Sequence, residues 1–210
     1  MNDADFAKRE LRRQILAGRT RLPWEDAETA PLVLSRRARD LPEVAAARTV
    51  AAYVSVGREP GTRPLLDALR EAGTRVLLPV LLADDDLDWG VYGGADSLRP
   101  AARGRGLLEP AGPYLTPDAV TEADVVLLPG LAVDAAGMRL GRGGGSYDRV
   151  LTRLAAAGAA PALVVLLYDG EVLPRVPAEP HDRPVTAAVT PSGVHRFTAR
   201  AERAETREQS

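Results

Sequence analysis

Asp124-Val125-Val126-Leu127-Leu128-Pro129-Gly130-Leu131-Ala132-Val133-Asp134 leads on to Arg139-Leu140-Gly141-Arg142-Gly143-Gly144-Gly145-Ser146-Tyr147-Asp148-Arg149. The first five residues are a β-branched and leucine run of the length a buried strand uses. From Tyr147 to Ala157 the apolar residues recur at helical spacing, and Gly158 follows as a C-terminal stop. Three consecutive glycines therefore sit between a strand and a helix. Their backbone N–H groups are uncovered by side chains, and the helix N-terminus adds partial positive charge, so the loop can wrap an anion. Arg142 and Arg149 add fixed cationic charge beside it. The pattern suits a nucleotide-phosphate site with Asp148 placed to hold a divalent metal, although a plain glycine-rich turn satisfies it equally. No Gly-Lys-Ser/Thr follows, so the loop is not a P-loop, and Ser146 stands where a dinucleotide fingerprint needs its last glycine.

Upstream, Thr49 to Ser55 reads as a strand and Val56 to Gly61 as a Gly/Pro loop. Thr62 is placed to cap a helix with Pro64 in its first turn and Gly73 at its end, and Arg75 to Val80 returns as a strand. A right-handed crossover makes these two strands parallel, so the loop carrying Glu59 falls at the carboxyl edge of the sheet, where ligands bind. Asp5 to Ala17 reads as an amphipathic helix with Phe6, Leu11, Ile15 and Leu16 toward the core and Gly18 as its stop. Lys8 and Arg12, four apart, share one face, which by default is a solvated basic stripe. Pro23 to Leu41 is a second helical region interrupted by Pro31 and closed by Pro42.

Asp84-Asp85-Asp86 lacks the spacing of a calcium loop and reads as a solvated turn. Leu87 to Tyr92 alternates like an edge strand, which exposes Trp89 or stacks it on a ring-shaped ligand such as a pteridine; filling space is the commoner role for such an aromatic. Glu109, in Gly106-Leu107-Leu108-Glu109-Pro110, reads as structural. Ala162 to Tyr168 is another buried strand and Val185 to Thr190 the last one. The adjacent His181-Asp182 is more often a capped loop than a metal pair, and the chain has no ligand set for zinc. From Thr198 the chain is rich in Arg and Glu without apolar pattern, which predicts a disordered tail over 198–210.

With 210 residues, 45% of them apolar, the chain suits one α/β domain, here 1–197, with a sizeable core. A net charge of −2 argues against a nucleic-acid binder held by bulk electrostatics. The absence of cysteine removes disulfides, thiolate nucleophiles and Cys-ligated zinc. No segment approaches the ~20 apolar residues of a membrane span, so a cytoplasmic location with no membrane partner is expected. Of 27 basic residues only Lys8 is lysine; the bias reflects a GC-rich genome and singles out the one lysine retained.

Pro129 to Asp134 followed by Arg139 to Arg149 resembles the signature of the 5-formyltetrahydrofolate cyclo-ligase family, also called methenyltetrahydrofolate synthetases. Gly106-Leu107-Leu108-Glu109-Pro110 is similar to a turn of the same family, and the resemblance runs from about Lys8 to Thr190. Members usually carry two tyrosines after the glycines, and here the first is Ser146. They often have an acid where Gly61 and Thr186 stand. The resemblance implies a three-layer α/β/α sandwich of Rossmann-like type with a mostly parallel sheet. It also implies ATP- and Mg²⁺-dependent cyclisation of 5-formyltetrahydrofolate to 5,10-methenyltetrahydrofolate, with release of ADP and phosphate. The ATP site it implies comprises Lys8-Arg9-Glu10-Leu11-Arg12 and Arg139-Leu140-Gly141-Arg142-Gly143-Gly144-Gly145-Ser146-Tyr147. The same resemblance implies that Arg12, Val54, Glu59 and Tyr147 face the folate and that Asp148 and Asp182 attend the magnesium. A monomer or weak dimer is expected, with the folate's polyglutamate tail left open. Two rivals stand beside this: a folate- or nucleotide-binding module without turnover, and a phosphosugar isomerase or CoA-transferase-like relative on a similar fold.

Overall fold

In this computed structural model residues 3–104, 106–179 and 182–197 are described; Pro180, His181 and the tail expected from Thr198 lie outside them. The chain runs α1 (Asp3–Arg21), α2 (Trp24–Arg39), α3 (Pro42–Ala45), β1 (Thr49–Ala51), α4 (Arg63–Glu71), β2 (Arg75–Leu81), β3 (Leu87–Val91), β4 (Leu98–Pro100), β5 (Leu108–Pro110) and β6 (Tyr114–Leu115). It continues with β7 (Val125–Leu128), β8 (Ala132–Asp134), β9 (Arg139–Leu140), α5 (Ser146–Ala156), β10 (Ala162–Leu166), β11 (Val172–Leu173), β12 (Ala187–Val189) and β13 (Val194–Arg196).

Eight strands make one sheet in the order β13-β12-β10-β7-β1-β2-β3-β6. From β12 to β2 the pairings are all parallel, and β13, β3 and β6 add antiparallel margins. The period-2 alternation of strand side chains sorts the apolar residues onto two faces. Val50, Val76, Val125, Leu127, Val164 and Leu166 join Leu34, Leu65, Leu66 and Leu69 of α2 and α4 in one core. Ala51, Leu77, Val126, Leu128 and Val165 join Val150, Leu151 and Leu154 of α5 in the other. Strands buried on both faces between helices are the three-layer α/β/α arrangement.

The parallel β1-α4-β2 unit forms as the sequence predicts. Strand order reverses between β1 and β7, because the chain goes from β1 to β2 on one side and then to β7 on the other. The carboxyl ends of β1 and β7 therefore open the crevice at which open α/β sheets receive ligands.

Several expectations are corrected. α1 continues through Gly18 to Arg21. A mid-helix glycine costs roughly 1 kcal/mol, and Arg19, 3% exposed, anchors the extra turn by hydrogen bonds to Glu171 and to the Gly130 carbonyl. Phe6 and Leu16 are exposed, and only Leu11 and Ile15 of that set pack inward, against Leu131, Leu140 and Val176. Thr62 makes no side-chain cap; its hydroxyl donates to the Tyr53 carbonyl and accepts from the Ser55 amide. Trp89 is neither exposed nor on an edge strand. β6 pairs outside β3, and the indole is fully buried with Leu87 and Val120 in the α5-side core. Val185–Thr190 is followed by a further strand, β13, and the Thr186 hydroxyl clasps both backbone groups of Leu163, far along the chain from the glycine loop.

Candidate active site

The glycine loop leaves β9 and enters α5, and its course is set by two devices. Asp134 accepts hydrogen bonds from the Ala136, Met138 and Val176 amides at 2.9–3.0 Å, fixing the turn that joins β8 to β9. Gly145 takes the N-cap position of α5 at φ 79°, and Gly143 lies at φ 93°, conformations that L side chains avoid. The strand–loop–helix reading holds, and the α5 N-terminus opens at the loop.

Two cavities meet at this loop. One, of about 400 Å³, is walled by Tyr53, Val54, Pro79, Leu81, Leu87, Leu107, Leu108 and Tyr147, with Glu59, Glu109 and Asp148 as its carboxylates. The other, of about 510 Å³, is strongly charged: Lys8, Arg9, Arg12, Arg139 and Arg142 face Asp5, Asp148, Glu179 and Asp182. They share Arg139, Gly141, Arg142, Gly143, Gly145 and Asp148. An apolar slot for a flat ring system thus abuts a cationic bowl across one glycine-lined wall.

The polar groups of the bowl are held individually. Arg12 Nε donates to the Gly141 carbonyl at 2.9 Å, and its guanidinium carbon lies 3.3 Å from where a Cβ on Gly143 would stand, a tight approach that adds to the constraint of φ 93° in favouring glycine there. Lys8 Nζ bonds Glu179 and Asp182, each at 2.7 Å. Burial disfavours its charge, yet hydrogen bonds to Asp182 and Glu179 prevail and its pKa is raised. Arg142 Nε meets Glu59 at 2.9 Å, while the other Glu59 oxygen accepts from the Val56 amide.

Arg139 is a buried cation with an incomplete set of partners. It is almost wholly buried, donates to the Pro129 carbonyl at 2.8 Å, and reaches Asp148 only at 3.4 Å. Its Nε has no partner. Burial pulls its pKa down, and the charge of Asp148 offsets this only in part. The Tyr147 hydroxyl is likewise buried without a partner, and burial followed by the Glu59 charge raises its pKa. Arg19 Nη1 and Trp89 Nε1 are also buried without a partner but line neither cavity, so what sets Arg139 and Tyr147 apart is that their orphaned donors sit at the cavity walls, where a ligand can complete the hydrogen bonding.

Each predicted residue can now be located. Lys8, Arg9 and Arg12 of α1 reach the bowl together with Arg139 to Gly143, Gly145, Asp148 and Asp182. Val54, Glu59, Gly144, Ser146 and Tyr147 line the apolar slot. Glu10 turns away to pair with Arg13 and Gln14, and Leu11 packs under the loop. Trp89 lies outside both cavities. Arg149 borders the outer side of the loop with its guanidinium on the Asp85 carbonyl, and Arg153 binds Asp86. No group of three or more His, Cys, Asp or Glu among the described residues could hold a metal ion unaided. Sequence reasoning missed Tyr53, Glu109 and Glu179. Tyr53 falls within the strand expected over Thr49 to Ser55, of which only Thr49–Ala51 pairs as β1, and nothing in the sequence pairs Glu179 with Lys8.

The family model described as the 5-formyltetrahydrofolate cyclo-ligase family matches residues 4–191. Over 152 residues, 69% of this chain and 74% of the relative, the sequence is 47% identical to a 5-formyltetrahydrofolate cyclo-ligase of Mycolicibacterium smegmatis. It is 34% identical to the enzyme of the same name from Escherichia coli over 156 residues, 73% of this chain and 83% of that one. Among solved structures, Aquifex aeolicus 5,10-methenyltetrahydrofolate synthetase superposes with a TM-score of 0.76 at 28% identity, covering 90% of this chain and 92% of that one.

Proposed function

The chain belongs to the 5-formyltetrahydrofolate cyclo-ligase family, and from that premise we propose that the apolar slot seats the folate and the cationic bowl the ATP phosphates. The reaction is ATP-dependent cyclisation of 5-formyltetrahydrofolate to 5,10-methenyltetrahydrofolate. One observation carries the assignment: the two cavities share the wall formed by Arg139, the glycines and Asp148. A phosphoryl donor in the bowl and a formyl oxygen in the slot would meet at that wall.

The chemistry accounts for the residue types. The formyl oxygen leaves poorly as hydroxide. Its attack on the γ-phosphorus forms an O–P bond, breaks the bond to ADP, and creates a phosphate leaving group. N10 then adds to the activated carbon and loses its proton, and expulsion of phosphate completes the methenyl bridge. Phosphoryl transfer depends on positioning and charge stabilisation rather than on a protein nucleophile. Lys8, Arg12, Arg139 and Arg142 supply the charge, the loop amides the positioning, and Tyr147 and Glu59 the folate contacts.

The residues fit a phosphate-borne Mg²⁺. Asp148, its side chain 54% exposed, holds only a 3.4 Å contact to Arg139, and one or two carboxylates plus substrate phosphates are the usual magnesium set. Asp148 would hold the ion with Asp182 beside it, and the ion would neutralise phosphate charge.

The test mixes purified protein with 5-formyltetrahydrofolate and follows the near-ultraviolet absorbance of the methenyl product. The band should appear only with both ATP and Mg²⁺. Folate binding by calorimetry without turnover would favour a non-catalytic module, and absence of binding would overturn the proposal.

A further inference from the structure

Three carboxylates border the apolar slot, and they are not equivalent. Glu59 uses one oxygen on Arg142 and the other on the Val56 amide. Asp148 faces Arg139. Glu109, on β5, is 8% exposed, and its side chain has no hydrogen bond or ion pair with any described residue. Its cross-strand neighbour on β4, Arg99, donates instead to the Ala111 carbonyl. The side chain lines the slot with Leu81, Leu107 and Leu108, and no described cation lies within ion-pair distance of its carboxylate. Two hydrogen-bond acceptors are thereby held at the slot wall.

We propose that Glu109 is a specificity-determining residue that accepts two parallel N–H bonds from the amino-amide edge of the folate's pterin ring. The inference rests on the functional reading above and deepens it. In the pyrimidine half of a pterin the 2-amino group and N3–H point the same way, two donors side by side, which is the pattern a carboxylate accepts in bidentate fashion. The Watson–Crick edge of adenine presents a donor beside an acceptor, so the same carboxylate would repel its N1. Glu109 therefore also orders the two substrates, admitting the pterin to the slot and leaving the nucleotide to the bowl. Buried groups built to hydrogen-bond one ligand discriminate strongly, because a ligand lacking the match leaves them unpaired.

Glu109→Gln and Glu109→Asp test this beside the wild type. Gln keeps the shape but replaces one acceptor by a donor, and Asp withdraws the carboxylate by one methylene. The proposal expects KM for 5-formyltetrahydrofolate to rise about tenfold or more in the Gln variant and less in the Asp variant, by the strength of hydrogen bonds to charged groups. KM for ATP should stay within about twofold. The melting temperature of ligand-free Glu109→Gln should be unchanged, since the carboxylate makes no hydrogen bond or ion pair that holds the described fold. This readout separates a ligand-facing acid from one that holds the fold. Wild-type turnover with Glu109→Gln showing an unchanged folate KM would overturn the assignment alone, as would a lowered melting temperature with both KM values moving together. A wild type that neither binds nor turns over the folate would overturn the functional reading and this inference with it.

Discussion

Arg19 and Arg139 are both buried arginines, and both donate to the same turn: Arg19 to the Gly130 carbonyl and Arg139 to the Pro129 carbonyl, each at 2.8 Å. Their remaining partners differ. Arg19 is gripped by Glu171 through two bonds of 2.6 and 2.9 Å, with its guanidinium 5.7 Å from the Tyr168 ring centre. Glu171 in turn accepts from the Tyr168 amide. Burial opposes the charge of Arg19, yet the hydrogen bonds to Glu171 prevail and its pKa is raised. At Arg139 burial prevails over a distant Asp148 and the pKa is lowered. Each arginine leaves one buried nitrogen without a partner, Nη1 of Arg19 and Nε of Arg139, but the short carboxylate bonds of Arg19 hold chain segments together, here α1 to the sheet. A buried cation left half-satisfied at the junction of two cavities is a cost to folding that a bound anion relieves.

That contrast predicts opposite phenotypes. Arg19→Met leaves Glu171 buried and uncompensated, so urea unfolding should show a loss of about 3–5 kcal/mol, with KM values little changed in the fraction that folds. Arg139→Met removes a charge whose burial is poorly compensated. Its unfolding free energy should stay level or rise, while ATP-dependent turnover falls by about 10²–10³-fold, the usual consequence of deleting one preorganised charge-stabilising donor. Stability loss in Arg139→Met with retained turnover would erase the distinction.

The pair Asp86–Arg153 marks the small end of the scale, since both groups remain partly exposed at the surface. Hydrogen bonds from Arg153 hold the Asp86 carboxyl below its ordinary value against the opposing effect of burial. A depressed folded-state pKa gives stability that is complete above the unfolded value, about pH 4, and is lost as pH falls through the folded value. Asp86→Asn should therefore cost about 1 kcal/mol or less at pH 7. Thermal melts of variant and wild type should converge as the pH drops below about 4. A gap that persists at low pH would assign the effect to packing instead.

The architecture was legible where residues alternate or punctuate. Val125 to Leu128, the β1-α4-β2 unit and the Gly145-to-Gly158 helix follow from periodicity and from glycines that indeed sit at positive φ. Chain ends of elements were less legible, because tertiary contacts decide them. Gly18 stays helical on account of Arg19 and Glu171, 152 positions apart in sequence. Thr62 forgoes capping to bond Tyr53, and Gly61 is required because a Cβ there would lie 2.6 Å from Pro31 Cγ. Trp89 alternates like an edge-strand residue, and it is the pairing of β6 outside β3 and the packing against Val120 and the α5-side core that place and bury it. Within the candidate site, Lys8 and Arg12 are placed together by helical spacing, and the glycine loop by composition. That Glu109 lines the slot was not legible, because its surroundings come from β2, β5 and the loop after β1, which no local pattern joins.

The measurement that bears most directly on the account is the ATP-induced rise in melting temperature of the wild type, Arg19→Met and Arg139→Met, recorded side by side with Mg²⁺ present. The account predicts a rise of similar size in the wild type and Arg19→Met, from a lower starting point in the latter. In Arg139→Met the rise should be largely lost while the ligand-free melting temperature is unchanged or higher. An undiminished ATP response in Arg139→Met, together with a lowered ligand-free melting temperature, would contradict it and make Arg139 a structural arginine like its counterpart.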